Sequence, residues 1–500
     1  MTMRLEQALD GVAQRRPDHL ALQLASGQRF TYAELVDRSK QLAGVLGDLG
    51  VNRGARVAIV SRHDLEAIAL FFAVLRCGAI VVWLNDDTRA ADTAAVIERA
   101  EPVLAVIQQD KFRTLFNTAT ETSVLTIAEL CARPALPNDK VMDMADTDPA
   151  VLVFTSGSSG TPKGVCLSHR NIFSVDHAVI EHMPITENDA YMMVVPLHYV
   201  HGLMQLTVHL LAGASIHFFD NFLFPKKVVE AIRNTRVSGF SGVPFHFNAL
   251  ISRGGLLDSD LPDLRWVTVT GGKLAADTIL QVIDHFPELQ FHIAYGQTEC
   301  APRATALHPD KVRSKPDSVG SAIPGVTVLL LDDSGQHVSD GEVGEVVIAG
   351  DNIMLGYWRD DAATANAIDA QGRLHTGDLG RFDQDGDLFL VGRKSAMIKS
   401  AGERIVPEEI ERVLTGFDGV TDAVVVGVDD TLLGQRVVAH VQMPDIITTH
   451  DEIIKSLRQH LSTQVAMARL PREYHVWEEF PRKTNGKPDR VLLTQAKADN

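Results

Sequence analysis

Short apolar runs and helical stretches alternate along most of this chain, and that alternation decides its class. Arg56–Val60, Val151–Phe154, Met192–Val195, Ser215–Phe219, Trp266–Thr270 and Phe291–Ala294 read as buried strands, while Thr31–Leu49 and Lys226–Asn234 carry helical periodicity. A helix between successive strands returns the chain to the starting edge, so neighbouring strands run parallel. The class is therefore α/β, with mainly parallel sheets covered by helices. From Thr327 the pattern changes to "TVLLLDDSGQ", "GEVGEVVIAG" and "DQDGDLFLVGR", short strands with tight turns and hence antiparallel hairpins. A small, charge-rich unit follows Arg393. The expected organisation is a large domain over 1–394 that ends in a hairpin-rich β subdomain, then a small, mobile α+β domain over 395–500.

A chain of 500 residues is too long for one ordinary core, which agrees with this division. The apolar run Leu65 to Leu84 does not read as a membrane span, because it contains Glu66, Arg76 and Gly78 and changes character midway. It reads as a helix over Leu65–Leu75, a turn at Cys77-Gly78 and a strand over Ala79–Leu84. A net charge of −17 argues against a nucleic-acid partner. Cys77, Cys131, Cys166 and Cys300 lack the paired spacing of a zinc or redox site and suit a reducing cytoplasm. Met1 to Pro17 shows no signal-peptide core.

One loop carries the first chemical signal. In "FTSGSSGTPKGVCLSH" (Phe154–His169), Thr155, Ser156, Gly157, Ser158, Ser159, Gly160, Thr161 and Lys163 follow an apolar strand and precede a helical stretch, His169–Ile180. Glycines let backbone N–H groups turn toward an anion, hydroxyls add donors and the lysine adds a point charge. The residues flanking Lys163 are Pro162 and Gly164, so this is not the common phosphate loop. On composition alone a flexible surface linker is the competing reading.

Four further segments decide between them: "AYGQTECAPRAT" (Ala294–Thr305), "LHTGDLG" (Leu374–Gly380), "GRKSAMIKSAGERIVPEEIE" (Gly392–Glu411) and "PRKTNGKPDR" (Pro481–Arg490). With the loop, they resemble in order and spacing the adenylate-forming enzymes, the superfamily of acyl-CoA synthetases, stand-alone adenylation enzymes and luciferases. The resemblance runs from about Phe30 to Arg490.

The resemblance implies a carboxylic acid and ATP as substrates, an acyl-adenylate, and transfer of the acyl group to a thiol. Coenzyme A is the expected acceptor and the phosphopantetheine of a carrier protein the alternative. The loop from Thr155 to Lys163 would wrap the β- and γ-phosphates. Thr298 would donate to a phosphate and Glu299 would hold Mg2+, a hard cation that takes oxygen ligands. Gly271 and Gly272 would lie against the adenine, and Tyr295 and Gly296 belong to the same expected ATP/AMP-binding set. Asp378 would accept ribose hydroxyls with Arg393 nearby, and Lys487 would bridge the carboxylate and the α-phosphate, where two anions meet. Ser395 stands at the hinge position, and Lys399, Ala401 and Gly402 would border the pantetheine tunnel. By position, Tyr199, Gly202, Val243, Phe245, His246, Gly271, Ala294 and Cys300 would line an apolar acyl pocket, with His246 its one polar candidate. The Phe-Asp-x-Ser segment with which α-amino-acid adenylation domains hold an ammonium is absent, which disfavours an amino-acid substrate. Two further readings remain open: a nucleotide-binding regulator that has lost the reaction, and a luciferase-like oxygenase.

Overall fold

The structure is a computed structural model that describes residues 3–61, 65–85, 90–116, 122–134, 144–155, 162–219, 222–339, 341–400, 403–430, 433–444, 449–465, 467–482 and 488–495. The chain divides into two compact units. The first is Met1–Val328 with Val347–Thr376 and Gly386–Leu388; the second is Leu329–Val346, Gly377–Asp385 and Phe389–Asn500.

Two sheets build the first unit. The larger has nine strands, in the order Ser321–Ala322, Thr305–Leu307, Gln290–Tyr295, Trp266–Val269, Gly239–Gly242, Ala190–Met193, Ser215–Phe218, Leu20–Gln23 and Arg29–Thr31. Pairing is parallel from Gln290–Tyr295 through to Leu20–Gln23 and antiparallel at both edges. One face buries Phe240, Val267, Val269, Phe291 and Ile293. The other face presents Tyr191, Ser241, Trp266, Thr268 and His292, all buried. The second sheet has seven strands and runs from Gly356–Tyr357 through Lys163–Ser168, Pro149–Thr155, Ile80–Leu84, Arg56–Val60 and Leu104–Ile107 to Ser123–Thr126.

Local chemistry explains the element ends. Thr31 caps the helix Tyr32–Asp48, accepting from the Glu34 N–H while the Glu34 carboxylate takes the Thr31 N–H. The apolar run resolves into the helix Leu65–Arg76 and the strand Ile80–Leu84. That helix is buried on every side from Ala67 to Leu75, as the apolar sequence between Glu66 and Arg76 requires. Among the described residues no helix is long and apolar enough to cross a membrane.

Two expectations need correction. The loop after Val151–Phe154 does not lead into the helix at His169. It leads into a strand, Lys163–Ser168, which pairs antiparallel with Pro149–Thr155 and sets Thr155 opposite Lys163. The apolar Val165, Cys166 and Leu167 are that strand, and Ser168 then caps the helix His169–His182. The strand expected at Met192–Val195 is Ala190–Met193: its partner Ser215–Phe218 ends opposite Met193, so Val194 and Val195 are buried outside the ladder.

In the second unit, Asp422–Asp430 and Gly434–Gln442 form a long antiparallel pair. Glu473–Trp477 adds a parallel strand, and Ile398–Ser400 with Glu403–Ile405 completes the sheet. Ile410, Leu414, Leu457 and Leu461, from the helices Pro407–Thr415 and His450–Ser462, share its core. The α+β character expected for the C-terminal region is present there. A four-stranded sheet of Val326–Leu331, Gly344–Gly350, Leu374–Phe382 and Leu388–Arg393 supplies the hairpin-rich segment.

Candidate active site

The first unit brings Lys163 and Glu299 together through a residue that the sequence did not mark. The strand Gly356–Tyr357 pairs antiparallel with Lys163–Ser168, placing Tyr357 opposite Val165. From there the Tyr357 hydroxyl donates to Glu299 Oε1 at 2.8 Å, and Lys163 Nζ lies 4.9 Å from the Tyr357 ring centroid. Burial and the Glu299 charge both raise the tyrosine's pKa, so the phenol keeps its proton and remains the donor. Glu299 Oε2 has no partner among the described residues. The Glu299 backbone is held as well, its carbonyl accepting the Met354 N–H at 3.0 Å.

Thr298, Glu299 and Cys300 form one 3-10 turn after the strand Gln290–Tyr295. A Cβ at Gly296 would run into the Pro302 carbonyl, so only glycine lets the chain fold back this closely. The fold-back is tied by Ala304 N–H to the Tyr295 carbonyl at 2.8 Å, and by Asn352 Nδ2 to the Cys300 and Arg303 carbonyls at 3.3 and 3.1 Å. The Cys300 sulfur is taken up inside the turn, where it accepts the Gln297 N–H at 3.2 Å. Tyr295 and Ala294 are buried.

The residues expected around adenine and the acyl group fall into two clusters. Gly271, with φ +75, and Gly272 are exposed at the end of the strand Trp266–Val269, and a Cβ on Gly271 would stand 3.1 Å from Val243 Cγ1. His246 is buried, its Nδ1 accepting the Val243 N–H at 3.1 Å, which leaves the proton on Nε2. Burial lowers its pKa to about 4, so it is neutral. Phe222 and Phe245 flank its ring, with centroids at 4.4 and 5.8 Å. Tyr199 and Phe245 are exposed, with Tyr199 at the start of the helix Val200–Ala212 and Gly202 buried in its first turn.

In the second unit Asp378 and Arg393 are neighbours. Arg393 Nε lies 2.5 Å from Asp378 Oδ1, the carboxylate buried and the guanidinium more than half exposed. Glu345, also buried, accepts the Gly377 N–H at 3.3 Å and the Lys394 ammonium at 2.8 Å, and so holds the residue before Asp378 and the residue after Arg393. Ser395 lies in the 3-10 turn Lys394–Ala396 and Lys399 in the strand Ile398–Ser400. Ser156, Gly157, Ser158, Ser159, Gly160, Thr161, Ala401, Gly402 and Lys487 lie outside the described residues.

Sequence reasoning missed Tyr357, Glu345 and Arg303. The tyrosine stands in "MLGYWRD", a short apolar-aromatic segment whose partner strand is far away in the chain. Glu345 stood among quoted hairpin residues without a chemical signal, and its role shows only in its contacts.

Comparison with known proteins bears on the whole chain. Residues 9–358 match the family described as AMP-binding enzyme, and residues 409–487 match the AMP-binding enzyme C-terminal domain. A 3-[(3aS,4S,7aS)-7a-methyl-1,5-dioxo-octahydro-1H-inden-4-yl]propanoyl:CoA ligase of Mycobacterium tuberculosis is 31% identical, with 98% of both chains covered. A feruloyl-CoA synthase of Amycolatopsis sp is 31% identical over 95% of each chain. Among solved structures, ATP-bound MatB from Rhodopseudomonas palustris superposes with a TM-score of 0.86 at 26% identity, covering 99% of each chain.

Proposed function

The chain belongs to the AMP-binding enzyme family, and on that premise we propose that it is an ATP-dependent acid–thiol ligase acting on a small carboxylic acid, with coenzyme A as the acceptor. In the first half-reaction a carboxylate oxygen attacks the α-phosphorus of ATP and the bond to pyrophosphate breaks. In the second, the thiol sulfur attacks the acyl carbon, loses its proton and displaces AMP.

The observation that carries this reading is the joint placement of Lys163, Tyr357 and Glu299 at the end of the serine- and glycine-rich loop. Lys163 supplies positive charge where the phosphates would lie. Glu299 fits a hard divalent cation: it is a carboxylate with one oxygen held by Tyr357 and the other without a partner among the described residues. Bound there, Mg2+ would neutralise phosphate charge. In the second unit, Asp378 offers acceptor oxygens suited to ribose hydroxyls, and its pairing with Arg393 orients both groups. Lys487 is assigned the cation between carboxylate and α-phosphate. Tyr199, Gly202, Val243, Phe245, His246, Ala294 and Cys300 are proposed to border the acid. Four free cysteines fit a cytoplasmic location.

The test is acid-dependent pyrophosphate release across a panel of carboxylic acids, repeated with coenzyme A and with a phosphopantetheinylated carrier protein. Release with several acids and thioester formation on coenzyme A is the expected result. Thioester formed only on the carrier would move the acceptor. No release with any acid would remove the reading and favour the nucleotide-binding regulator.

A further inference from the structure

The face of the nine-stranded sheet that presents Tyr191, Ser241 and His292 holds a buried cation with no counter-ion among the described residues. Arg303 is 1% exposed, and neither Nη1 nor Nη2 has a hydrogen-bond partner among the described residues. Among the ionisable groups described around it, the Tyr191 hydroxyl is the only one that favours its charged form. Burial lowers its pKa to about 10, so the guanidinium remains charged at neutral pH. An ion buried in this way carries an effective penalty of several kcal/mol unless something pairs with it.

Its surroundings are polar but neutral. Ser241, Thr268 and His292 stand side by side on three adjacent strands. The Ser241 hydroxyl meets Tyr191 Oη at 2.7 Å and His201 Nε2 at 2.9 Å. Burial first, and the Arg303 charge second, press His201 down to about 3. Burial, with His182 and Arg303 adding to it, does the same for His292. His201 Nδ1 and both ring nitrogens of His292 have no hydrogen-bond partner among the described residues. A fully buried cation ringed by unused donors and acceptors is a receptor for an anion.

The receptor adjoins the acyl pocket proposed above. His292 and Ala294 are two residues apart on one strand and so project from the same face. His201 follows the exposed Tyr199 by two residues in the same helix start. The Arg303 N–H donates to the Cys300 carbonyl at 3.2 Å, tying the arginine to the turn that carries Cys300. His292, His201 and Arg303 thus each stand within three positions of a pocket residue.

We propose that Arg303 receives a second carboxylate on the acid substrate, so that the enzyme activates one end of a dicarboxylic acid. This rests on the ligase reading. A carboxylate matches the guanidinium fork and supplies the missing charge, whereas a ketone or hydroxyl would leave the cation uncompensated.

The test uses length-matched pairs: butyrate and succinate, hexanoate and adipate, octanoate and suberate, and phenylpropionate with its para-carboxy derivative. Each is assayed for pyrophosphate release and for its shift of melting temperature, in wild type, Arg303→Met and Arg303→Lys. In wild type, kcat/KM is expected to favour the diacid at one length or more by at least about tenfold, the worth of a charged hydrogen bond. Arg303→Met is expected to reverse that preference and Arg303→Lys to keep part of it. Without acid, Arg303→Met is expected to melt at or above wild type, because an unpaired buried charge has gone. A diacid-to-monoacid ratio that is the same in wild type and Arg303→Met overturns the proposal. So does an Arg303→Met variant that melts lower and loses all acids alike, which would make the arginine structural. If no acid of either kind releases pyrophosphate, the ligase reading fails and the melting arm decides alone. Protection of wild type but not Arg303→Met by diacids would uphold the anion site, and equal shifts would reject it.

Discussion

A carboxylate that is to hold a hard cation needs one oxygen available and the other fixed. At Glu299 the Tyr357 hydroxyl does the fixing, and the same ring lies beneath the Lys163 ammonium. Glu299→Gln keeps size and removes the charge, so adenylation should fall by orders of magnitude while the fold survives. Tyr357→Phe keeps the ring and removes one charge-assisted hydrogen bond, a change of about tenfold in kcat/KM. It should also raise the Mg2+ concentration needed for half-maximal pyrophosphate release. A magnesium titration of both variants checks this, and a wild-type curve for Tyr357→Phe would assign the role to the ring alone. Glu299 was legible because it follows a buried strand inside a motif. Tyr357 was not, because its partnership is made by strand pairing with a segment remote in sequence.

Elements place these side chains by close approach. The return from Gln290–Tyr295 to Thr305–Leu307 depends on Gly296, where any Cβ would meet the Pro302 carbonyl. Backbone cannot yield as a flexible side chain can, so Gly296→Ala should destabilise by about 1–3 kcal/mol. The displaced turn carries Thr298 and Glu299, so adenylation should drop further than the lost stability explains. Urea unfolding beside pyrophosphate release separates the two, and an active variant of unchanged stability would show that the turn has slack. The serine- and glycine-rich loop joins two antiparallel strands, and this differs from the strand-to-helix passage read from sequence. Val165, Cys166 and Leu167 are too short a run to separate from the helix that follows by periodicity alone.

Across the first unit, stability is tied to buried neutral histidines. Burial is the largest cause lowering His169, His209, His217 and His246 to about 4, and His201 and His292 to about 3. Each has a folded pKa below its unfolded value, so its contribution is full above about pH 6.5 and is lost as pH falls toward 4. The slope is about 1.4 kcal/mol per pH unit for each histidine. Burial also raises Glu6 to about 6 and Asp176 well above the usual carboxylate range, and these two work in the opposite direction. Six groups against two leave a net loss in acid. The urea midpoint should hold between pH 7 and 8 and fall steeply below about 6.5; a midpoint unchanged at pH 5 would mean that the histidines protonate in the folded chain. The proposed domain boundary invites a separate test. Ser395 lies in a 3-10 turn, whose φ suits proline, while proline restrains the residue before it. If the two half-reactions need different orientations of the small domain, Ser395→Pro should keep acid-dependent pyrophosphate exchange and lose thioester formation. Thioester turnover equal to wild type would move the pivot elsewhere.

The order of apolar runs and their lengths were enough for the α/β class and the hairpin-rich stretch, because these depend on local pattern. The five motif segments gave the reaction class through their resemblance to a known family. The apolar run at Leu65 was readable in the same way, since Glu66, Arg76 and Gly78 interrupt it within a few residues. Partnership was decided by the tertiary structure. Tyr357 with Glu299, Glu345 with Lys394, and Ser241 with Tyr191 and His201 are all joined by strand register or helix cover between distant segments. Arg303 makes the difference plain. In sequence it is one more charged residue after a loop, which solvent would ordinarily cover. Only the packing of helices over the sheet shows that it is buried without a carboxylate partner among the described residues. Burial is a property of the assembled layers, and no neighbour in the chain encodes it.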